Sequence, residues 1–358
     1  MIRKVTPSIL GRDIEVENPL QLPLKVGFAG VFNNPASSSI PFANHMERLD
    51  SVSEVIRLDY RTALKRNISA VINNVMELSR TCDLIIIMKG NGIPLHTFQM
   101  SKMNCRLYFW MPDVYSHFKN KSLFESSRFC AYRSATGYGT ALLWSNSAQM
   151  PVYHVFDGTD PDKYYPELTK KKYDVIFIGA ADPERTTIYD FLRKKNYNVK
   201  FFGPHYTSFV EPDEFRKICS QSKLVLNISR GNYPGYTSLR LWNCMACGSM
   251  VLTKRIPKME ELMDMKDKRD IVEFKNIIAL NNAVEYYLKH DDEREAIARS
   301  GLEFVKKYRT WTNTSEDIIK IATTEPGNSL RNNDTLKFQR LQKKLKKTRK
   351  VKGGWVTI

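Results

Sequence analysis

Two stretches of the sequence place small residues and arginines where a phosphorylated ligand could be held. The first is Gly179-Ala-Ala-Asp182-Pro-Glu-Arg185, directly after the apolar run YDVIFI. Small side chains there let a ligand approach the backbone, and Arg185 falls in the first turn of the helix that follows. A capped helix start with a solvated arginine would read the same way. The second is SRGNYPGYTSLR, residues 229–240, which runs into the helix-like LWNCMACG. Gly231 and Gly235 permit tight backbone approach, and Thr237 or Ser238 can cap the helix. The helix N-terminus offers free N–H groups and the positive end of its dipole. Arg230 and Arg240 add charge-assisted, bidentate-capable bonds. Together these make a diphosphate cradle; the alternative is a loop with two solvated arginines.

Such loops need a scaffold, and the sequence supplies one. Its 358 residues are 42% hydrophobic and 26% charged, enough for two domains with a core each. Strand-like runs alternate with helical stretches, twice over. The first series comprises 23–31 (PLKVGFAGV), 54–58, 83–88 and 106–110, with weaker runs at 129–132 and 152–156. The second comprises 173–178, 198–202, 223–228 and 249–253. Amphipathic stretches at 184–195, 213–220 and 293–307 lie between or after them. Strands separated by helices imply parallel sheets covered on both faces, here two Rossmann-like α/β domains facing a cleft. The expected division is 1–156, a junction at 157–172 rich in Pro, Gly and charge, a second domain at 173–325, and a basic tail at 326–358. In open α/β sheets ligands sit beyond the carboxyl ends of the strands, where both arginine loops fall.

The longest apolar runs are far short of the ~20 residues a spanning helix needs. The first residues mix both charge signs without an apolar h-region, against a secretory signal. Six cysteines form no framework, and Cys244-x-x-Cys247 has no second pair or nearby histidine pair. Buried thiols in a reducing cytoplasm are expected. The net charge of +17 is uneven, the tail supplying +9 of it. In the tail Phe338, Leu341 and Leu345 share one helical face, with lysines and arginines crowding the rest. The tail is therefore the expected contact with a polyanion, nucleic acid or, as the alternative, an anionic membrane.

The motifs IFIGAADPER, FFGP, SLRLWNCMACGSMVLT and PKMEEL, in that order, resemble the nucleotide-binding domain of GT-B glycosyltransferases, above all the spore-maturation-type group. GTDPDKYYP resembles the segment at the domain junction of such enzymes, and YRTWTNTSEDII their late turn into a final helix. The resemblance covers residues 157–323; the first domain resembles them only in architecture. It implies a nucleotide-sugar donor, such as a UDP-sugar, bound by Gly179, Arg185, Arg230, Ser238, Arg240, Asn243 and Glu261. Many retaining members carry Glu-x7-Glu; here those positions are Gly235 and Asn243, so Asn243 would meet a ribose or sugar hydroxyl without charge.

It further implies an acceptor in the cleft, near Asn33, Ser37 and Ser38 in the loop after the first strand. An inverting reaction would need a first-domain base, with Asp113 first, then His45 and His117. Asp160-Pro-Asp162 mimics the Asp-x-Asp metal motif of the other major glycosyltransferase fold, but it lies at the junction and the arginines already provide positive charge. No cofactor and no divalent metal are therefore expected. Three readings stay open: transfer of sugar to a hydroxylated base in viral DNA, transfer to a surface or lipid-linked glycan at an anionic membrane, and a nucleic-acid-binding module on an inactive transferase fold.

Overall fold

The computed structural model describes residues 2–7, 14–95, 105–113, 124, 127–231 and 233–330. The tail from 331 onward and His117 lie outside the described residues.

The first domain is built on strands β1 (Arg3–Val5), β3 (Leu24–Gly30), β4 (Val52–Asp59), β5 (Leu84–Met88), β6 (Arg106–Met111), β7 (Tyr132–Ala135) and β8 (Val152–His154), while β2 (Ile14–Glu17) stands outside its sheet. The sheet order is β1-β8-β7-β6-β5-β3-β4, parallel throughout except for β1 at the edge. The runs at β5 and β6 are buried along nearly their whole length because both faces are covered, by α1 (Ser39–Glu47), α2 (Tyr60–Arg66), α3 (Ile68–Leu78) and α4 (Tyr138–Ala148) among others.

The second domain repeats the plan with β9 (Tyr173–Ile178), β10 (Val199–Phe202), β11 (Ser222–Asn227), β12 (Met250–Lys254) and β13 (Val272–Phe274), all parallel, in the order β10-β9-β11-β12-β13. Its helices are α5 (Pro183–Arg193), α6 (Pro212–Ser220), α7 (Leu239–Ala246), α8 (Met259–Met263), α9 (Ile277–Lys289) and α10 (Asp291–Tyr308). No helix among the described residues is long and apolar enough to cross a membrane.

The last helix among the described residues, α11 (Trp311–Thr324), falls within the stretch assigned by sequence to the second domain, yet it packs on the first. Trp311 stacks on Phe42 of α1 with ring centroids 5.0 Å apart and meets Trp110 of β6 edge-on at 5.9 Å. Ile318, Ile319 and Ile321 complete the same buried cluster. Its start is fixed by a capping box between Thr310 and Asn313. Residues Gly327–Leu330, the start of the segment read as a tail, form β14 and pair antiparallel with β2.

The chain thus passes between the domains twice, and the two passages lie side by side. The Thr159 N–H donates to the Arg309 carbonyl (2.8 Å), and the Trp311 N–H donates to the Thr159 carbonyl (3.1 Å). Gly158 is required there by close approach: a Cβ would sit 2.1 Å from the Thr310 carbonyl carbon. The Arg309 guanidinium covers the crossing, 3.9 Å from the centre of the Phe156 ring.

Candidate functional site

The arginine cluster forms because two loops converge at the carboxyl ends of β9 and β11. Asp182 caps α5, accepting from the Arg185 N–H at 3.0 Å, and Pro183 occupies the first helical turn. This holds Arg185 in that first turn, 5% exposed. Its Nε and Nη2 donate to the Ile228 carbonyl at 3.2 and 2.6 Å, and Nη1 donates to the Ala180 carbonyl at 2.8 Å. Arg185 therefore ties the two loops together and adds positive field, with much of its donor capacity already spent on backbone.

Arg240 approaches the same point from α7. Its Nη2 donates to the Ile228 carbonyl at 3.1 Å and to Asn227 Oδ1 at 3.4 Å, while its Nε is buried without a partner. Both guanidiniums lie against the Phe177 ring, Arg185 at 4.9 Å and Arg240 at 4.7 Å from its centre. Burial, reinforced by the neighbouring Arg185, lowers Arg240 to about 10. Gly179 is needed for this packing, since a Cβ there would stand 2.7 Å from Arg240 Nη1. Arg230 is exposed on the rim and reaches Asp182 Oδ2 at 3.3 Å. Asp182 is thus shared among three arginine-bearing contacts and held below the usual carboxylate range, its N-cap and arginine bonds outweighing the opposing desolvation.

Ser238 is the N-cap residue of α7, but its side chain caps no amide. Its Oγ instead turns to Asn227 Oδ1 at 3.4 Å. The helix start therefore presents uncapped N–H groups beside Arg240. Asn227, which the sequence reading absorbed into a strand, is the hub: its Nδ2 donates to Thr237 Oγ1 (3.1 Å) and Thr253 Oγ1 (3.0 Å), and its Oδ1 receives Ser238 and Arg240. The available signal was a lone amide ending the apolar run LVLN.

A small interdomain cavity of about 50 Å³ adjoins the helix start. Ser37 and Ser38 line it from the first domain, facing Asn243 and Leu239 of α7 and Asp160 of the junction. The structure thus brings the serines read as acceptor-side and Asn243, read as donor-side, to one space. The Thr159 hydroxyl donates to Asn243 Oδ1 at 2.8 Å, fixing that amide. Asn33 does not line this cavity; it is tied to the start of α2, its N–H donating to Asp59 Oδ2 (2.8 Å) and its Nδ2 to Thr62 Oγ1 (2.9 Å). Glu261 stands apart from the arginines, exposed on α8, paired with Lys258 and accepting through its carbonyl from Arg3 of the first domain.

Asp113 lies just past β6, more than half exposed, with Lys89 Nζ at 3.0 Å. Two residues that the sequence reading missed share its surroundings. Burial pushes the Asp157 carboxyl up to about 7, Asp113 adds to that shift, and the bond from Trp242 Nε1 at 2.9 Å opposes it. Burial also raises the Tyr236 hydroxyl, with Asp157 and Asp113 adding to it. Tyr236 belongs to the loop that closes the cleft: its ring abuts Gly137, and the Gly139 N–H donates to the Pro234 carbonyl across the domains at 3.1 Å.

His45 has a different setting from that expected of a base. It is 4% exposed, with Nδ1 bonded to Thr312 Oγ1 at 2.9 Å and Nε2 to Asp160 Oδ1 at 3.2 Å. Both ring nitrogens are engaged, so in this arrangement it links α1 to the junction and to α11. The ligand atoms of His45, Asp160 and Asp162 lie within 4.8 Å of one another, a grouping that could accept a metal ion. Each carboxylate also has a cationic neighbour, Asp160 in Lys163 at 4.0 Å and Asp162 in Arg48 at 2.9 Å.

Two parallel-sheet domains, a cleft between them, and a last helix returning to the first domain define the GT-B glycosyltransferase fold, and the comparisons agree. Residues 185–320 match the family described as glycosyl transferase-like. The chain is similar to the Anabaena protein Alr3699/HepE solved with UDP and glucose, at 12% identity and TM-score 0.63, covering 83% of this chain and 98% of that one. It is similar to the T4 phage β-glucosyltransferase at 17% identity and TM-score 0.54, covering 84% and 99%. It is also similar to an α-glucosyltransferase solved with UDP-glucose and DNA containing an abasic site, at 11% identity and TM-score 0.59, covering 84% and 100%. Among curated proteins, none matches the sequence.

Proposed function

We propose that this chain is a nucleotide-sugar-dependent glycosyltransferase whose acceptor is a hydroxylated base in DNA. The observation that carries the donor half is the convergence of Arg185, Arg230 and Arg240 on an uncapped helix start, opposed by the single carboxylate of Asp182. Departure of a nucleoside diphosphate places charge on the β-phosphate, and preorganised cations at that point stabilise the transition state. Arg240 and the α7 amides would meet the diphosphate, Arg185 would set the field behind them, and Asn243 would meet a ribose or sugar hydroxyl. Asp113, across the cleft, is the base we assign to the acceptor hydroxyl. SLRLWNCMACG supports a place near the spore-maturation-type group. The six cysteines, all free and buried, suit work in a reducing cytoplasm.

Supporting the acceptor half are the charge of +17 and, among the structures of similar fold, a β-glucosyltransferase described as a DNA-modifying enzyme and the α-glucosyltransferase solved with DNA. The test is incubation with UDP-glucose and duplex DNA containing hydroxymethylated cytosine, followed by mass spectrometry of the nucleosides. A nucleoside heavier by one hexose is the expected product. Hydrolysis of UDP-glucose with every nucleoside unchanged would leave the transferase and remove DNA as its acceptor.

We further propose that transfer needs no divalent ion, because the arginines occupy the position where one would neutralise the diphosphate. EDTA is expected to change the rate by less than about twofold. Abolition by EDTA with recovery in manganese would overturn this and point to His45, Asp160 and Asp162.

A further inference from the structure

One surface of the first domain is strongly basic and is used by nothing described so far. Helix α2 carries Arg61, Lys65 and Arg66, all exposed, and no acidic residue occurs from Tyr60 to Met76. Arg61 and Lys65, four residues apart, share a helix face, an arrangement that repels in isolation. None of the three has an acidic partner among the described residues. Asp59, at the N-cap, is already committed: it accepts from the N–H groups of Phe32, Asn33 and Thr62 at 2.6, 2.8 and 2.7 Å. The other surface arginines and lysines of this domain are mostly paired, as in Arg57–Glu47 and Lys25–Glu54.

The position of this surface matters as much as its charge. α2 follows β4 and so stands at the carboxyl ends of the strands, on the cleft side. Leu64 on its inner face packs against Gly92, in the loop that begins with Lys89. Lys89 in turn contacts Asp113. A line of cations therefore runs from the outer rim of the sheet to the residue assigned as base.

We infer that α2 and Lys89 form the phosphate-contacting edge on which a nucleic-acid acceptor is seated, so that its reactive hydroxyl reaches Asp113. This rests on the DNA reading given above and deepens it. The surface suits a nucleic acid better than a membrane. Its companions are Asn33, Thr62, Asn67 and Asn91, groups that bond phosphate, sugar and base, and Ile68 is the one large apolar side chain exposed between Val52 and Leu95. A second basic run, Arg193-Lys-Lys195, ends α5 at the opposite end of its strands, away from the cleft. It provides a control of equal charge.

The experiment uses the full chain and fluorescence anisotropy on a labelled unmodified duplex, across a salt series. The triple variant Arg61→Ala, Lys65→Ala, Arg66→Ala keeps helix propensity, and a melting curve against that of the unaltered chain reports whether its first domain is folded. It is expected to bind duplex at least about tenfold more weakly at low salt, with a slope of log K against log salt shallower by about 2–3. The variant Arg193→Ala, Lys194→Ala, Lys195→Ala is expected to keep both affinity and slope. If the α2 variant binds like the unaltered chain, the edge assignment is wrong while the DNA reading stands. If the unaltered chain binds no duplex at low salt but sediments with phosphatidylserine vesicles, the DNA reading falls and the inference falls with it.

Discussion

Replacing Arg240 by alanine is expected to lower kcat/KM for the nucleotide-sugar about 10- to 100-fold, the loss of one charge-assisted phosphate bond worth roughly 1.5–3 kcal/mol. The residue is prepared for an anion in three ways. Its Nε is buried without a partner, its Nη2 is anchored by Asn227 and Ile228, and burial beside Arg185 has already lowered it to about 10. A bound diphosphate reverses that depression, because it favours the charged form. UDP affinity should therefore hold while the pH stays below about 10 and weaken as the pH rises through that value. The alanine variant should lose both the affinity and this alkaline limb. Calorimetry with UDP and a melting curve separate loss of binding from loss of fold. A folded variant with unchanged UDP affinity and unchanged kinetics would remove Arg240 from the donor site.

Asp113→Asn carries the second large effect. Removing a general base typically costs about 10²–10⁴-fold in rate, and the amide keeps the shape of the carboxylate. Asp113 is more than half exposed and holds one ion pair, with Lys89, so the substitution should leave the fold intact. UDP binding should be unchanged, since the diphosphate cradle belongs to the other domain. The separation of the two effects is the point of the pair of variants: Arg240→Ala should weaken binding, while Asp113→Asn should spare binding and stop transfer. Full transfer by Asp113→Asn would move the base elsewhere in the cleft.

The parts of the fold that were legible in the sequence are those that local pattern decides. The run YDVIFI forms a strand over the residues expected, and PLKVGFAGV, NVKFF and KLVLNI differ only by a residue or two at their ends. Fully buried parallel strands write themselves as unbroken apolar runs. The weak run at 129–132 begins instead with a short 3₁₀ turn, and its strand is Tyr132–Ala135, where Arg133 sits buried with its charge spread over backbone carbonyls. A buried arginine disguises a core strand. β1, β2, β13 and β14 were not foreseen because each is only three or four residues long; β1, β2 and β14 are moreover specified by distant partners, β14 pairing with β2 across nearly the whole chain.

The site divides along the same line. Arg185 and Arg240 were visible because small residues and a helix start flank them in sequence. The role of Asn227 was not, because it depends on Thr237, Thr253 and Arg240 arriving from three different elements. His45 shows the converse. Nothing near it in sequence reveals Asp160, 115 residues away, which takes up its Nε2.

The return of α11 to the first domain also bears on how the chain is made. Trp311, Ile318, Ile319 and Ile321 fill a core whose other walls, Phe42, Trp110 and the strands around them, are synthesised long before. Until residue 321 leaves the ribosome, those walls enclose a gap lined with large apolar side chains. At ~5–20 residues per second, the interval between completing β8 and delivering that helix is roughly 8–30 s. The second domain meanwhile has all its strands and can close first. The core of the first domain is therefore complete only once the chain has been synthesised through the whole of the second.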